Sequence, residues 1–98
     1  MKVRFTPRAL ADLMRLKTWW HRHRPGAPDL LEAELDAALA RIAASPNLGS
    51  EYTTRTGSVS VRRVLMPKTR NHVYYLTEGD EVVVVTVWGA PKRRGPRL

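Results

Sequence analysis

The chain has 98 residues, no cysteine, and a formal net charge of +8 from 17 lysines and arginines against nine acids. That length holds one domain with a modest core. The lack of cysteine excludes disulfides and thiolate metal sites, and an apolar content of 43% excludes wholesale disorder. A pI near 10.9 points to an anionic partner: nucleic acid, an acidic protein or an anionic membrane surface.

Val3 and Phe5 alternate with charged residues, which predicts a short strand over Lys2–Phe5 with one buried side. No long apolar run follows Met1, so no signal peptide is expected, and nothing approaches the ~20 apolar residues that span a bilayer. Thr6-Pro7 reads as a helix start, a hydroxyl N-cap followed by proline at the first helical position. The helix that follows is expected to bury Leu10, Leu13, Met14 and Trp20, with Leu16 offset, and to stop at Arg24-Pro25-Gly26-Ala27-Pro28. A second helix begins near Pro28-Asp29. Its apolar positions Leu31, Leu35, Ala38, Leu39 and Ile42 keep the 3.6-residue period, and Ser45-Pro46-Asn47-Leu48-Gly49 closes it. The short connection predicts an antiparallel helical hairpin. Residues 1–24 are basic apart from Asp12, whereas 29–41 hold Asp29, Glu32, Glu34 and Asp36 against Arg41, so pairing between the helices is expected.

Glu51–Gly57 is polar and reads as a turn. Ser58–Met66 reads as a strand, Pro67-Lys68-Thr69-Arg70-Asn71 as a basic connection, and His72–Thr77 with Glu81–Trp88 as a hairpin across Glu78-Gly79-Asp80. Strict alternation puts Val83, Val85 and Val87 on one face, and Val82, Val84, Thr86 and Trp88 on the other. A strand apolar on both faces belongs at the centre of a sheet. Tyr74 and Tyr75 alternate, one expected in the core and one beside the basic surface. The expected class is α+β: an N-terminal strand, the helical hairpin, then a three-stranded antiparallel sheet, in the order β-α-α-β-β-β. Residues 89–98 form a basic C-terminal tail with Lys92, Arg93, Arg94 and Arg97, punctuated by Gly89, Pro91, Gly95 and Pro96. The whole chain, 1–98, is read as one domain.

This element order, together with Ser45-Pro46-Asn47-Leu48-Gly49, Val61-Arg62-Arg63-Val64-Leu65, His72-Val73-Tyr74-Tyr75 and the stretch from Val87-Trp88-Gly89-Ala90 through Pro96, resembles the RelE/ParE superfamily. These are toxins of bacterial type II toxin–antitoxin modules, often labelled plasmid stabilisation proteins. The strand leading into the basic tail resembles the ParE-like branch most. The resemblance implies a growth inhibitor in the bacterial cytoplasm, neutralised by a small acidic antitoxin in a heterotetramer or larger complex. It also implies one of two targets: DNA gyrase, poisoned without nuclease chemistry, or mRNA cleaved on the ribosome by RelE-like members. No cofactor, metal or membrane is expected.

Ribosome-dependent cleavage needs a base, cations for the developing phosphate charge and an acid for the leaving oxygen. The residues available for an endoribonuclease are His72, Arg62 and Arg93. No tyrosine follows Trp88 and no lysine lies on Ser58–Met66, so the set lacks an obvious acid unless His72 serves. A ParE-like reading needs contacts instead, and those expected are Arg62, Lys68, Arg70, Trp88, Lys92, Arg93 and Arg94. Arg62 and Arg63 are neighbours on a strand and point to opposite sides. One can line a functional face while the other lies against the helices or pairs with Glu34 or Asp36. Trp19, Trp20 and Trp88 suit either stacking or anchoring, with Trp20 favoured as core and Trp88 as half-exposed. His21 and His23 sit at a helix end, too poorly spaced for joint metal ligation.

Overall fold

The computed structural model describes residues 1–54, 57, 60–90 and 95–98. In chain order the elements are β1 (Lys2–Phe5), α1 (Pro7–His23), α2 (Leu30–Ala44), β2 (Ser50–Thr53), β3 (Ser60–Met66), β4 (Asn71–Glu78) and β5 (Glu81–Gly89). The strands form one five-stranded sheet in the order β1-β5-β4-β3-β2. β1 runs parallel to β5, and every other pair is antiparallel. The fold is therefore α+β, but the sheet is mixed and larger than the three antiparallel strands expected. The N-terminal strand joins it as an edge, and Ser50–Thr53, most of it within the Glu51–Gly57 stretch read from sequence as a turn, forms the other edge. That strand is polar because it is peripheral: only Tyr52 is half-buried, and Ser50, Glu51 and Thr53 are exposed.

Both helices pack on one face of the sheet. Ala9 and Leu13 of α1 and Leu35, Ala38 and Ile42 of α2 meet Val64, Met66, Val73, Tyr75, Val82, Val84 and Val87 in a single core, with Val3, Phe5, Leu16 and Leu39 against it. The second helix buries the stripe its periodicity predicts. The first does not: Leu10 and Met14 are 52% and 60% exposed, whereas Asp12 is 4% exposed. The helix is rotated from its apolar optimum because the Asp12 carboxylate has partners inside. It accepts a hydrogen bond from the Thr86 hydroxyl and pairs with Arg8 and Arg15. The Thr6 side chain caps the helix, accepting from the Ala9 N–H at 3.0 Å, and its own N–H donates to the Val84 carbonyl at 3.0 Å. Trp20, buried, ties the far end of α1 to the inter-helix loop through Nε1–H donated to the Ala27 carbonyl at 2.6 Å. Lys17 and Glu32 pair across the helices at 3.0 Å.

β5 lies between β1 and β4, the central place its valines predict. Strict alternation along it fails. Tyr75 pairs with Val84 and Tyr74 with Thr86, so Val85 is an inserted residue. Beyond this bulge Val87 joins Val82 and Val84 in the helix-side core. The β4–β5 hairpin turns on Gly79-Asp80, with Gly79 at φ 60°. Tyr74 and Tyr75 are both buried, on opposite faces. The Tyr75 hydroxyl donates to the Pro46 carbonyl at 2.7 Å and accepts from the Gly49 N–H at 2.9 Å. Tyr74 packs edge-on to Tyr52 and His72. The chain's end returns to the domain: Tyr52 donates its hydroxyl to the Pro96 carbonyl at 3.3 Å, and Arg8 donates to the Arg97 carbonyl.

Candidate functional site

The β3–β4 turn is where the polypeptide is held in an unfavourable conformation. Pro67–Arg70 closes with the Arg70 N–H donating to the Met66 carbonyl at 2.9 Å, and Arg70 sits at φ 60°, the non-glycine residue with positive φ among the described residues. For an arginine that left-handed conformation costs about 1 kcal/mol. Glu34 of α2 braces the turn. Its carboxylate accepts from the Lys68 N–H at 2.7 Å, the Thr69 N–H at 2.8 Å and the Thr69 hydroxyl at 2.7 Å. Burial alone would raise the Glu34 pKa. The Thr69 hydroxyl, the two backbone donors and the Lys68 charge outweigh it, and the carboxyl titrates below its ordinary range. The turn is also stitched to the end of the sheet, where the Ala90 N–H donates to the Arg70 carbonyl at 2.8 Å.

Between this turn, the C-terminal half of α1, the start of α2 and the end of β5 lies a groove of about 470 Å³. Leu16, Trp20, Leu31 and Val87 form apolar wall, Trp19 and Trp88 add indole surface, and Arg15 and Arg70 supply cations. Asp12 is the carboxylate that lines it, already engaged by Arg8, Arg15 and Thr86. Of the residues expected as target contacts, this groove joins Arg70 and Trp88. Lys68 stands exposed on the same turn. Lys92, Arg93 and Arg94 lie outside the described residues. Sequence reasoning missed Arg15 and left Trp19 undecided; the signal was available in the shared α1 stripe of Asp12, Arg15, Leu16, Trp19 and Trp20.

Arg62 lies elsewhere. It pairs in register with Glu51 and with core Tyr75, donates to the Gly49 carbonyl at 2.7 Å and reaches Glu51 at 3.8 Å, not Glu34 or Asp36. Arg63 is the one on the helix-free face. There its guanidinium lies 5.5 Å from the centre of the Tyr52 ring and donates to the Tyr74 hydroxyl at 3.4 Å. His72 shares that face, edge-on to Tyr74 at 5.9 Å. Burial, then the Arg63 charge, lowers the His72 pKa. The ribonuclease candidates Arg62 and His72 therefore stand on opposite sides of the sheet, and Arg93 lies outside the described residues. His23 stacks on Trp19 at 4.4 Å and donates Nδ1–H to the Trp19 carbonyl at 2.9 Å, a helix-end role. Among the described residues no cluster of three or more His, Asp or Glu could hold a metal ion, and no helix is long and apolar enough to cross a membrane.

The chain is a small basic α+β domain with a groove on its helical side. Its sequence agrees with a specific class. Residues 3–92 match the family described as the ParE toxin of the type II toxin–antitoxin system parDE, and the chain belongs to that family. Among solved structures it is similar in fold to a chain of the chromosomal ParDE system from P. aeruginosa. The TM-score is 0.66 over 91% of this chain and 95% of that one, at 18% identity. No curated protein matches it.

Proposed function

We propose that this chain is the growth-inhibiting toxin of its module, that it acts by poisoning DNA gyrase, and that a small acidic antitoxin neutralises it. The observation that carries this reading is the convergence of Arg70, Arg15, Trp19 and Trp88 on one groove, a set suited to gripping a protein. The net charge of +8 favours an acidic partner with a partly disordered segment that orders on binding. Such a pair assembles as a heterotetramer or a larger complex in the bacterial cytoplasm.

A second reading, a ribosome-dependent endoribonuclease, draws on the other face. There Arg63 replaces Arg62 as the cation beside His72, and the lowered pKa keeps the imidazole neutral near pH 7, able to accept a proton. Induction without the antitoxin separates the two. Gyrase poisoning gives an SOS response, filamented cells and linearised plasmid. The nuclease gives an abrupt halt in translation with cut mRNA. Normal growth defeats both.

A further inference from the structure

The helix-free face of the sheet is covered at one end and bare at the other. Val61 and Tyr74 share that face with Arg63, and Val83 reaches it from between core residues Val82 and Val84. All three are under 4% exposed, although both helices pack on the opposite face. Tyr52 packs edge-on to Tyr74, and the chain's own last residues reach the same place. Pro96 is buried there, its carbonyl accepts from the Tyr52 hydroxyl at 3.3 Å, and Gly95 lies so close to Tyr52 that a Cβ has no room. The bare end begins beyond Arg63. Leu65, two residues further along β3, is 47% exposed. β2 ends opposite Arg63, so no strand flanks Leu65 on that side. On the other side Leu65 stands opposite His72, and His72 opposite Trp88, both half-buried. A lone exposed leucine is ordinary; a row of three large side chains across adjacent strands at an open sheet end marks a contact surface. Threonine would serve the strand at position 65 as well as leucine does.

We infer that Leu65 and His72, bordered by Trp88, form a protein-binding surface on the helix-free face, that it takes an apolar side chain projecting from an acidic protein surface, and that this surface belongs to gyrase. The last step rests on the function proposed above. Charge complementarity selects the occupant. Arg63 lies on the same face beside Tyr74, and Lys68 is exposed on the turn that follows β3. The acids that share the face, Glu78 and Glu81, stand at the far hairpin end, where Arg4 meets them at 3.6 and 3.5 Å. The bare end is therefore cationic at its rim and apolar at its centre, with His72 kept neutral near pH 7 by burial and by Arg63. A nucleic-acid strand fits less well, because Leu65 offers neither a hydrogen bond to a base nor a charge to a phosphate.

The assay is purified gyrase with supercoiled plasmid and ATP, and the readout is the concentration of the full chain that linearises half the plasmid. Leu65→Glu places a negative charge where an acidic surface should dock, and should raise that concentration about tenfold or more. Leu65→Thr keeps the strand and removes the apolar contact, and should raise it about threefold to tenfold. Leu48→Thr is the matched control. It removes a leucine that is 43% exposed in the loop between α2 and β2, and should stay within about twofold of the parent chain. Each replaced side chain is on the surface, so all three melting temperatures should lie within about 4 °C of the parent's. The inference is overturned if both Leu65 variants linearise plasmid as the parent does, or if Leu48→Thr weakens it as much as Leu65→Thr. It is overturned too if the parent cuts mRNA in cells and Leu65→Glu abolishes that cutting, which reassigns the surface to RNA. A parent chain that leaves the plasmid uncut removes the gyrase reading, and this inference with it. A parent that poisons gyrase while its Leu65 variants poison it equally removes this inference alone, so the two failures are distinguishable.

Discussion

Replacing Asp12 with alanine should be among the most destabilising single changes on α1, although an aspartate on a helix is ordinarily a surface residue. Asp12 is 4% exposed and accepts from the hydroxyl of Thr86, which is fully buried. Removing a charged acceptor from a buried donor loses a contact worth about 1.5–3 kcal/mol and leaves a hydroxyl with only the Val87 carbonyl, at 3.5 Å. The ion pairs add little. The Arg8 and Arg15 side chains are 43% and 70% exposed, so together they contribute under about 0.5 kcal/mol. Alanine is the better helix former, by about 0.6 kcal/mol. The net loss is about 1–3 kcal/mol, or roughly 4–24 °C in melting temperature for a domain of this size. Urea titration with circular dichroism measures it. The companion variant Asp12→Ala/Thr86→Val removes the orphaned hydroxyl and should recover about 1 kcal/mol of the loss. An Asp12→Ala cost below about 0.5 kcal/mol, or no recovery in the double variant, refutes the buried hydrogen bond as what holds α1 in its rotation.

The Glu34 brace gives a pH signature. Its folded pKa is depressed below the ordinary carboxyl value of 4.5, so the stability it contributes is fully present above that value and is lost as pH falls through the folded pKa. Glu34→Gln should cost about 1 kcal/mol at pH 7 and flatten the acid limb of stability against pH, read from urea midpoints between pH 3 and 7. Gly49→Ala should cost about 2 kcal/mol, because a Cβ there meets the Arg63 carbonyl at 2.8 Å and the Tyr75 hydroxyl at 2.9 Å. Adding Tyr75→Phe to it should not restore stability, since the backbone clash remains. Gly95→Val should expel the chain's last residues from Tyr52, with a small effect on stability but faster trimming by carboxypeptidase, followed by mass spectrometry.

Local chemistry made much of this fold legible. Thr6-Pro7 reads as a cap and is one, the α2 stripe is buried as its period predicts, and Gly79-Asp80 turns the hairpin. What stayed hidden depends on partners far along the chain. Ser50–Thr53 carries too few apolar residues to read as a strand, and becomes one only because β3 offers an edge. Leu10 and Met14 yield the interior to Asp12 because Thr86 waits there, 74 residues away. The bulge at Val85 leaves no mark in a run of valines. At the site, Arg70 and Trp88 stood out by charge and aromaticity. That Arg62 would turn toward Gly49 and Glu51, and Arg63 away, required the register of β2 against β3.

Internal hydrogen bonds hold the walls of the groove at fixed positions, which bears on how it binds. The α1 wall is set by Asp12 against Thr86 and by Trp20 against the Ala27 carbonyl. The opposite rim is set by Glu34 against Lys68 and Thr69, and by the Ala90 bond to Arg70. None of these bonds needs a partner to form, so the cleft exists before anything enters it. A preformed cleft loses little order on binding, so a segment that ordered on entering it would bear most of the ordering cost itself. Affinity should then depend more on the segment's own helical or extended propensity than on any change in this chain. A loosened rim, as in Glu34→Gln, should weaken binding through Arg70 without any contact to the ligand having been removed.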